Sequence, residues 1–160
     1  MAGYSGTPLI KKLGVEPGAR LTFVDPPAGF EKLLGTLPEG ARKAASGQTD
    51  FSMAFVMSAA ALRRIFVQLA KRTAPDGMLW IAWPKKAARM QTDLAEDVVR
   101  RIGLAAGLVD VKVCAVDETW SGLKFVFRLK DRNTTSSRRR LPPQTAPRTR
   151  VRRRASRRAT

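Results

Sequence analysis

The sequence predicts an α/β protein: a three-layer fold around a mostly parallel sheet, closed by a C-terminal antiparallel hairpin and followed by a disordered arginine-rich tail. Three observations carry that expectation. Strand-like and helix-like segments alternate from residue 9 to about residue 106, the order that builds parallel strands joined by crossover helices. The hydrophobic period then falls to two over residues 111–129, as an antiparallel hairpin requires. Finally, the charge is uneven: residues 1–130 hold 19 basic and 12 acidic side chains, while residues 131–160 hold 11 arginines, no lysine and one acid.

The elements follow in order. Thr7-Pro8 reads as an N-cap with proline in the first helical position, and Leu9, Ile10 and Leu13 give a short apolar face that stops at Gly14. Arg20-Leu-Thr-Phe-Val24 is a strand ended by Asp25-Pro26-Pro27. Phe30, Leu33 and Leu34 fit one face of a short helix before Gly35. Residues 36–50 carry turn signals and little β-branched character, so any strand there is weak. Phe51 to Met57 is an apolar run of strand length, and Ser58 caps a helix in which Leu62, Ile65, Phe66 and Leu69 keep helical spacing. Pro75-Asp76-Gly77 should break that helix, and Met78 to Trp83, lacking polar alternation, should be a strand covered on both faces. Asp93 with Glu96 resembles a capping box for a helix lined by Leu94, Val98 and Ile102, ending at Gly107. Val111, Val113 and Ala115, then Leu123, Phe125, Phe127 and Leu129, form the two hairpin strands joined by Asp117 to Gly122.

The domain should therefore occupy residues 1–130 and the tail 131–160. With no aromatic residue and only Leu141 and Val151 as large aliphatics, the tail cannot offset chain entropy of about 1–2 kcal/mol per residue. Elsewhere the 44% apolar content is that of a folded protein. The chain has no histidine and a single cysteine, which excludes imidazole bases, intrachain disulfides and multi-cysteine zinc sites. Met1 to Lys12 has no apolar stretch behind a basic start, and the run Phe51 to Leu62 is shorter than a membrane span. A cytoplasmic setting without membrane contact is expected.

Candidate site residues fall at strand ends. In open α/β sheets the carboxyl ends of the strands face the ligand crevice, which directs attention to Asp25 and Gly29 after the first strand and to Trp83, Lys85 and Lys86 after the fourth. Backbone N–H groups at Gly29 could meet an anion, and two ammonium groups beside an indole suit a phosphate or nucleotide. The same lysines also read, and more simply, as a solvated pair covering a core tryptophan. Asp117 and Glu118 with Trp120 could share a proton, hold a hard cation or stack a ring, or could be ordinary turn residues. Cys114 lies between valine-rich neighbours with Lys112 on its face, which fits either a buried inert thiol or a reactive one. The tail arginines, Arg138, Arg139, Arg140, Arg148, Arg150, Arg152, Arg153, Arg154, Arg157 and Arg158, would bind phosphates by their planar forks and release counterions. Without aromatics for stacking, that binding should be weakly selective. Arg153-Arg-Ala-Ser156 also has the form of a basophilic kinase site.

Two resemblances add to this. Ala74-Pro-Asp-Gly-Met-Leu-Trp-Ile-Ala-Trp83, preceding a helix and a closing hairpin, resembles the later half of Rossmann-like methyltransferases. The strings Tyr4-Ser-Gly-Thr-Pro-Leu9, Lys11-Lys-Leu-Gly14, Trp83-Pro-Lys-Lys86, Thr92-Asp-Leu-Ala-Glu-Asp-Val98 and Val111 to Gly122 resemble an uncharacterised bacterial family, domain of unknown function 3052, over residues 1–132. That family brings no established activity, substrate or catalytic residue. The methyltransferase resemblance implies a glycine-rich first turn and an acidic residue ending the second strand. Asp25-Pro-Pro-Ala-Gly-Phe30 instead has one glycine and two prolines, and no acid marks the second strand. The expected function is thus that of a small non-catalytic Rossmann-like protein whose tail holds nucleic acid or another polyanion. The alternative is an enzyme or binding domain that takes a nucleotide or an S-adenosyl compound. No cofactor is evident, no metal site is expected, and a protein partner is left unspecified.

Overall fold

Six strands form one mixed sheet in the computed structural model, which describes residues 7–129 and 131. In chain order the elements are α1 (Leu9–Leu13), β1 (Arg20–Val24), α2 (Phe30–Leu34), β2 (Arg42–Lys43), β3 (Thr49–Phe55), α3 (Ala59–Arg72), β4 (Thr73–Pro84), α4 (Glu96–Ala105), β5 (Leu108–Ala115) and β6 (Trp120–Phe127). A single 3-10 turn, Lys86–Ala88, follows β4. The strand order is β2-β1-β3-β4-β6-β5, parallel from β2 to β4 and antiparallel thereafter. The expected mostly parallel sheet with a terminal hairpin is therefore what forms. The chain divides after Phe127 into two units, and the six strands belong to the first. The tail arginines from Arg138 to Arg158 lie outside the described residues.

Period-two alternation on β4 separates the two cores. Leu79, Ile81 and Trp83 pack with Leu62, Phe66, Val99 and Ile102 under α3 and α4. Trp80 and Ala82 point the other way, among Leu13, Phe30, Leu34 and Phe51 under α1 and α2. Three layers result, and β4 is buried on both faces because both are covered by helices.

Four local expectations need correction. Pro75-Asp76-Gly77 does not lie between a helix and a strand: α3 ends at Arg72, and β4 already includes Thr73 to Gly77. The helix is closed instead by Thr73, whose hydroxyl donates to the Leu69 carbonyl at 2.7 Å. Register with β3 jumps from Thr49–Thr73 to Phe51–Met78, so the Pro-Asp-Gly residues form a bulge opposite Asp50. Gly77 is required there, since a Cβ would stand 2.8 Å from the Asp50 carbonyl oxygen. Second, Asp93 does not cap its own helix. α4 starts at Glu96 without a side-chain cap, and Asp93 Oδ1 accepts from the Ala59 N–H at 2.9 Å, at the start of α3. Ser58 Oγ, as expected, accepts from Ala61 N–H at 3.2 Å. Two side chains from separate loops thus satisfy one helix terminus. Third, α1 begins one residue later than Thr7-Pro8 implies: Pro8 is its N-cap, and the Pro8 carbonyl takes the N–H groups of Lys11 and Lys12. Fourth, both hairpin strands begin three residues earlier than expected, β5 at Leu108 and β6 at Trp120, and the turn between them tightens to Val116–Thr119.

Arg20 and Asp50 tie β1 to β3. Arg20 Nε and Nη2 donate to the two Asp50 oxygens at 3.0 and 2.9 Å, and the Arg20 backbone N–H adds a third bond at 2.9 Å. The hydrogen bonds from Arg20 hold the Asp50 carboxyl below its ordinary pKa, against the opposing effect of burial. A depressed folded pKa contributes stability that is complete above the unfolded value of about 4 and is lost as pH falls through the lower folded value. Both side chains remain about one-third exposed, so solvent screening reduces the effect to about 1–2 kcal/mol. Asp50→Asn should be less stable than wild type by that amount at pH 7, with the gap closing below about pH 4. Urea titrations of both proteins between pH 7 and 3 check it; a gap independent of pH would show that the Asp50 charge contributes nothing.

Candidate functional site

The chain runs from β1 outward to β2, then returns to place β3 on the other side of β1. Two neighbouring strands whose connections leave in opposite directions open a crevice at their carboxyl ends. A cavity of about 600 Å³ lies there. Its strand side is Val24, Asp25, Phe55, Val56 and Met57; α3 supplies Ala61, Arg64, Ile65 and Gln68; Met90 and Trp120 close it. A second hollow of about 630 Å³, lined by Ser58 and residues 89–93, shares Met57 and Met90 with the first.

Asp25 ends β1 in the left-handed region, with φ of 54°, a conformation that aspartate tolerates better than most residues. Its carboxylate is exposed and forms no ion pair among the described residues. Pro26 and Pro27 follow, so two backbone donors are missing from the loop that would otherwise cradle phosphate. Gly29 has φ of 84° and precedes α2, a helix of five residues. The Phe30 N–H already donates to the Pro27 carbonyl at 3.1 Å, which leaves little there for an anion. The cavity's aromatic wall belongs to a chain of ring contacts: Trp120 meets Phe55 edge-on at 5.2 Å, and Phe55 meets Phe30 at 4.9 Å. On the opposite side, Thr92 Oγ1 donates to the Met57 carbonyl at 2.6 Å and pins the loop carrying Met90.

Of the residues singled out by sequence, only Asp25 and Trp120 line this cavity. Trp83 faces the α3 and α4 layer, on the other side of the sheet from Trp120. Lys85 and Lys86 line neither hollow; the Lys85 N–H donates to the Thr119 carbonyl at 2.7 Å, joining the end of β4 to the hairpin turn. Asp117 Oδ1 accepts from the N–H groups of Thr119 and Trp120, both at 2.8 Å, and so shapes that turn. Glu118 is exposed beside it. Cys114 is half-buried on β5, and burial raises its pKa, with Lys12 and Lys112 opposing. Sequence reading missed Met57, Ala61, Arg64, Gln68 and Met90. Ala61, Arg64, Ile65 and Gln68 share one helical face, which the spacing i, i+3, i+4, i+7 could have disclosed.

The site has apolar and aromatic walls, one carboxylate, one guanidinium and one amide. Among the described residues, no group of three histidine, cysteine, aspartate or glutamate side chains could hold a metal ion. No helix among them is long and apolar enough to cross a membrane.

No family model and no curated protein matches the chain, so the resemblance to the uncharacterised family gains no support from them. Solved structures do match. A SAM-dependent methyltransferase from Aquifex aeolicus aligns with 73% of this chain and 86% of its own, at 17% identity and a TM-score of 0.50. The ribosomal protein L11 methylase from Lactobacillus delbrueckii subsp. bulgaricus gives 75% and 75%, at 13% identity and 0.48. Magnesium protoporphyrin IX methyltransferase from Synechocystis PCC 6803, with bound SAH, gives 75% and 78%, at 10% identity and 0.49. The first of these, with the strand order above, makes the fold Rossmann-like and methyltransferase-like; at such identity it speaks of fold alone.

Proposed function

We propose that the crevice between β1 and β3 binds a nucleoside-type ligand without phosphates, an S-adenosyl compound being the best fit. The observation that carries this reading is the makeup of the crevice. Phe55, Trp120, Met57 and Met90 suit a planar ring and a thioether chain, and Asp25 can accept hydrogen bonds from ribose hydroxyls. Pro26 and Pro27 disfavour a pyrophosphate, which needs backbone N–H groups in that loop. One departure stands: β2 runs into Ala44 and Ala45, so no carboxylate at the second strand's end reaches for the ribose. Asp25 would take that duty alone. Bound S-adenosylmethionine would supply an electrophilic methyl, whose acceptor would come from a second substrate; the proposal is for binding of the S-adenosyl compound. Membership of the uncharacterised family and a cytoplasmic setting go with it. Independently, the arginines beyond residue 131 would hold polyanions by charge.

The test is a thermal melt of the full chain with S-adenosylmethionine, S-adenosylhomocysteine, ATP and NAD. At about a hundred times the dissociation constant an S-adenosyl compound should raise the melting temperature by about 8 °C or more, and Asp25→Asn should reduce the rise. Anion binding by the arginines beyond residue 131 would add no such shift where it is equal in the folded and unfolded chains. No rise with either S-adenosyl compound, or an equal one with ATP, would refute the reading.

A further inference from the structure

Three lysines meet on the sheet face that carries α1, and none of them lines either hollow. Lys112 and Lys124 are directly opposed in the register of β5 and β6, so their side chains leave the same face. Lys112 Nζ donates to the Lys12 carbonyl at 2.9 Å, and Lys12 Nζ reaches the Ala115 carbonyl at 3.4 Å. Lys124 Nζ lies 3.8 Å from the point where a Cβ on Gly14 would stand. Gly14 closes α1 two residues after Lys12, so Lys112 and Lys124 both reach the end of that five-residue helix, and Lys12, in its last turn, sends its ammonium to β5 on the same sheet face.

Like charges directly opposed on a sheet are destabilising. Among the described residues no ion pair is formed by Lys12, Lys112 or Lys124. The α1 carbonyl end accounts for Lys112. It leaves Lys124 without a side-chain hydrogen bond among the described residues. Burial, with Lys112 beside it, draws the Lys124 ammonium below its ordinary pKa, and Glu16 opposes only in part. A partly buried ammonium with a second cation opposite it and no ion pair is the arrangement that an anion relieves.

We propose that Lys12, Lys112 and Lys124 form an oxyanion-binding site for a phosphate group, separate from the crevice. The phosphate is either free or part of a polynucleotide backbone, and the chemistry of recognition is the same. Full-length protein is melted in inorganic phosphate and in chloride at matched ionic strength and pH. Wild type should melt about 3–5 °C higher in phosphate, and Lys124→Met should lose that increment without melting lower in chloride. Equal increments in both proteins overturn the site. A second measurement needs no variant. Pyridoxal 5′-phosphate condenses through its aldehyde with an amine, releasing water, and borohydride reduces the imine to a secondary amine that peptide mass spectrometry maps. Lys124 should be labelled at least about fivefold more than the exposed Lys32 and Lys86, and inorganic phosphate should suppress the label. Uniform labelling overturns the site. Protection by a single-stranded oligonucleotide assigns it to a backbone phosphate, protection by inorganic phosphate alone assigns it to a free anion, and protection by neither overturns it.

Discussion

Trp80→Ala should cost about 4–5 kcal/mol, enough to remove much of the 5–15 kcal/mol that holds a domain of this size folded. Trp80 is fully buried at the centre of the sheet. Its ring lies in the core beneath α1 and α2, and its Nε1–H donates to the Leu13 carbonyl at 2.9 Å. Truncation therefore removes a large apolar contact and leaves a buried carbonyl at the end of α1 without its partner. Trp80→Phe separates the two effects: most of the packing survives, and the loss should fall to about 1–3 kcal/mol. Amide exchange should then show the deficit concentrated in α1 and Gly14. Urea midpoints of the three proteins supply the free energies. A loss below about 1.5 kcal/mol for Trp80→Ala would mean that α1 is not docked on this side of β4.

That ring also shows what the sequence could and could not disclose. Met78 to Trp83 declared a doubly covered strand because it has no polar alternation, and the structure agrees. Which of its residues serves which layer follows from the pleat once the strand is granted: Leu79, Ile81 and Trp83 to one side, Trp80 and Ala82 to the other. Long-range satisfaction of polar groups was not legible. Asp93 carries a helix-start pattern with Glu96, and only tertiary structure reveals that its carboxylate caps α3. Pro75-Asp76-Gly77 has strong turn chemistry, but pairing with β3 resumes at Met78 and leaves it as an irregularity within β4. In both cases the residue types have a local tendency, and tertiary pairing puts them to a different use.

The crevice was legible only in outline. That strand ends face a ligand space is a rule of the fold, and it directs attention to Asp25, which lines the cavity. Trp83 and Trp120 looked like companions because both stand at strand ends, yet alternation puts them on opposite faces. Met57 and Met90 gave no signal, since a methionine after a strand or in a loop has no periodic pattern to betray it. Arg64 and Gln68 are exposed on α3; what makes them part of a site is the placement of the helix beside the ends of β1 and β3. The lysine site is a similar case. Lys112 and Lys124 alternate with apolar residues as any outward-facing pair would, and only the register that opposes them makes their charge a cluster.

Gly103→Ala should destabilise the protein by about 2–3 kcal/mol, although alanine is the better helix former by about 1 kcal/mol. Gly103 is buried on the inner face of α4. A Cβ there would lie 2.1 Å from Phe125 Cε1 and 2.4 Å from Cζ, far inside contact distance. The ring cannot simply turn aside, because Phe125 stands edge-on against Phe66 at 5.1 Å and is itself fully buried. Accommodating the methyl must push α4 off β6 or break that ring pair. Phe125→Leu, which shortens the ring, should cost stability alone but relieve the clash, so the double variant should be more stable than the sum of the two losses by about 1–2 kcal/mol. Urea midpoints of the wild type, both single variants and the double variant close the cycle. Strict additivity, or a Gly103→Ala protein more stable than wild type, would mean that the helix does not approach the sheet this closely. The sequence contains the hint in one place only: a glycine inside a helix, four residues after the buried Val99, forfeits helix propensity for no visible local reason. The reason is an aromatic ring 22 positions further along the chain, and the fit between the two sets how tightly the α3 and α4 layer closes on the hairpin side of the sheet.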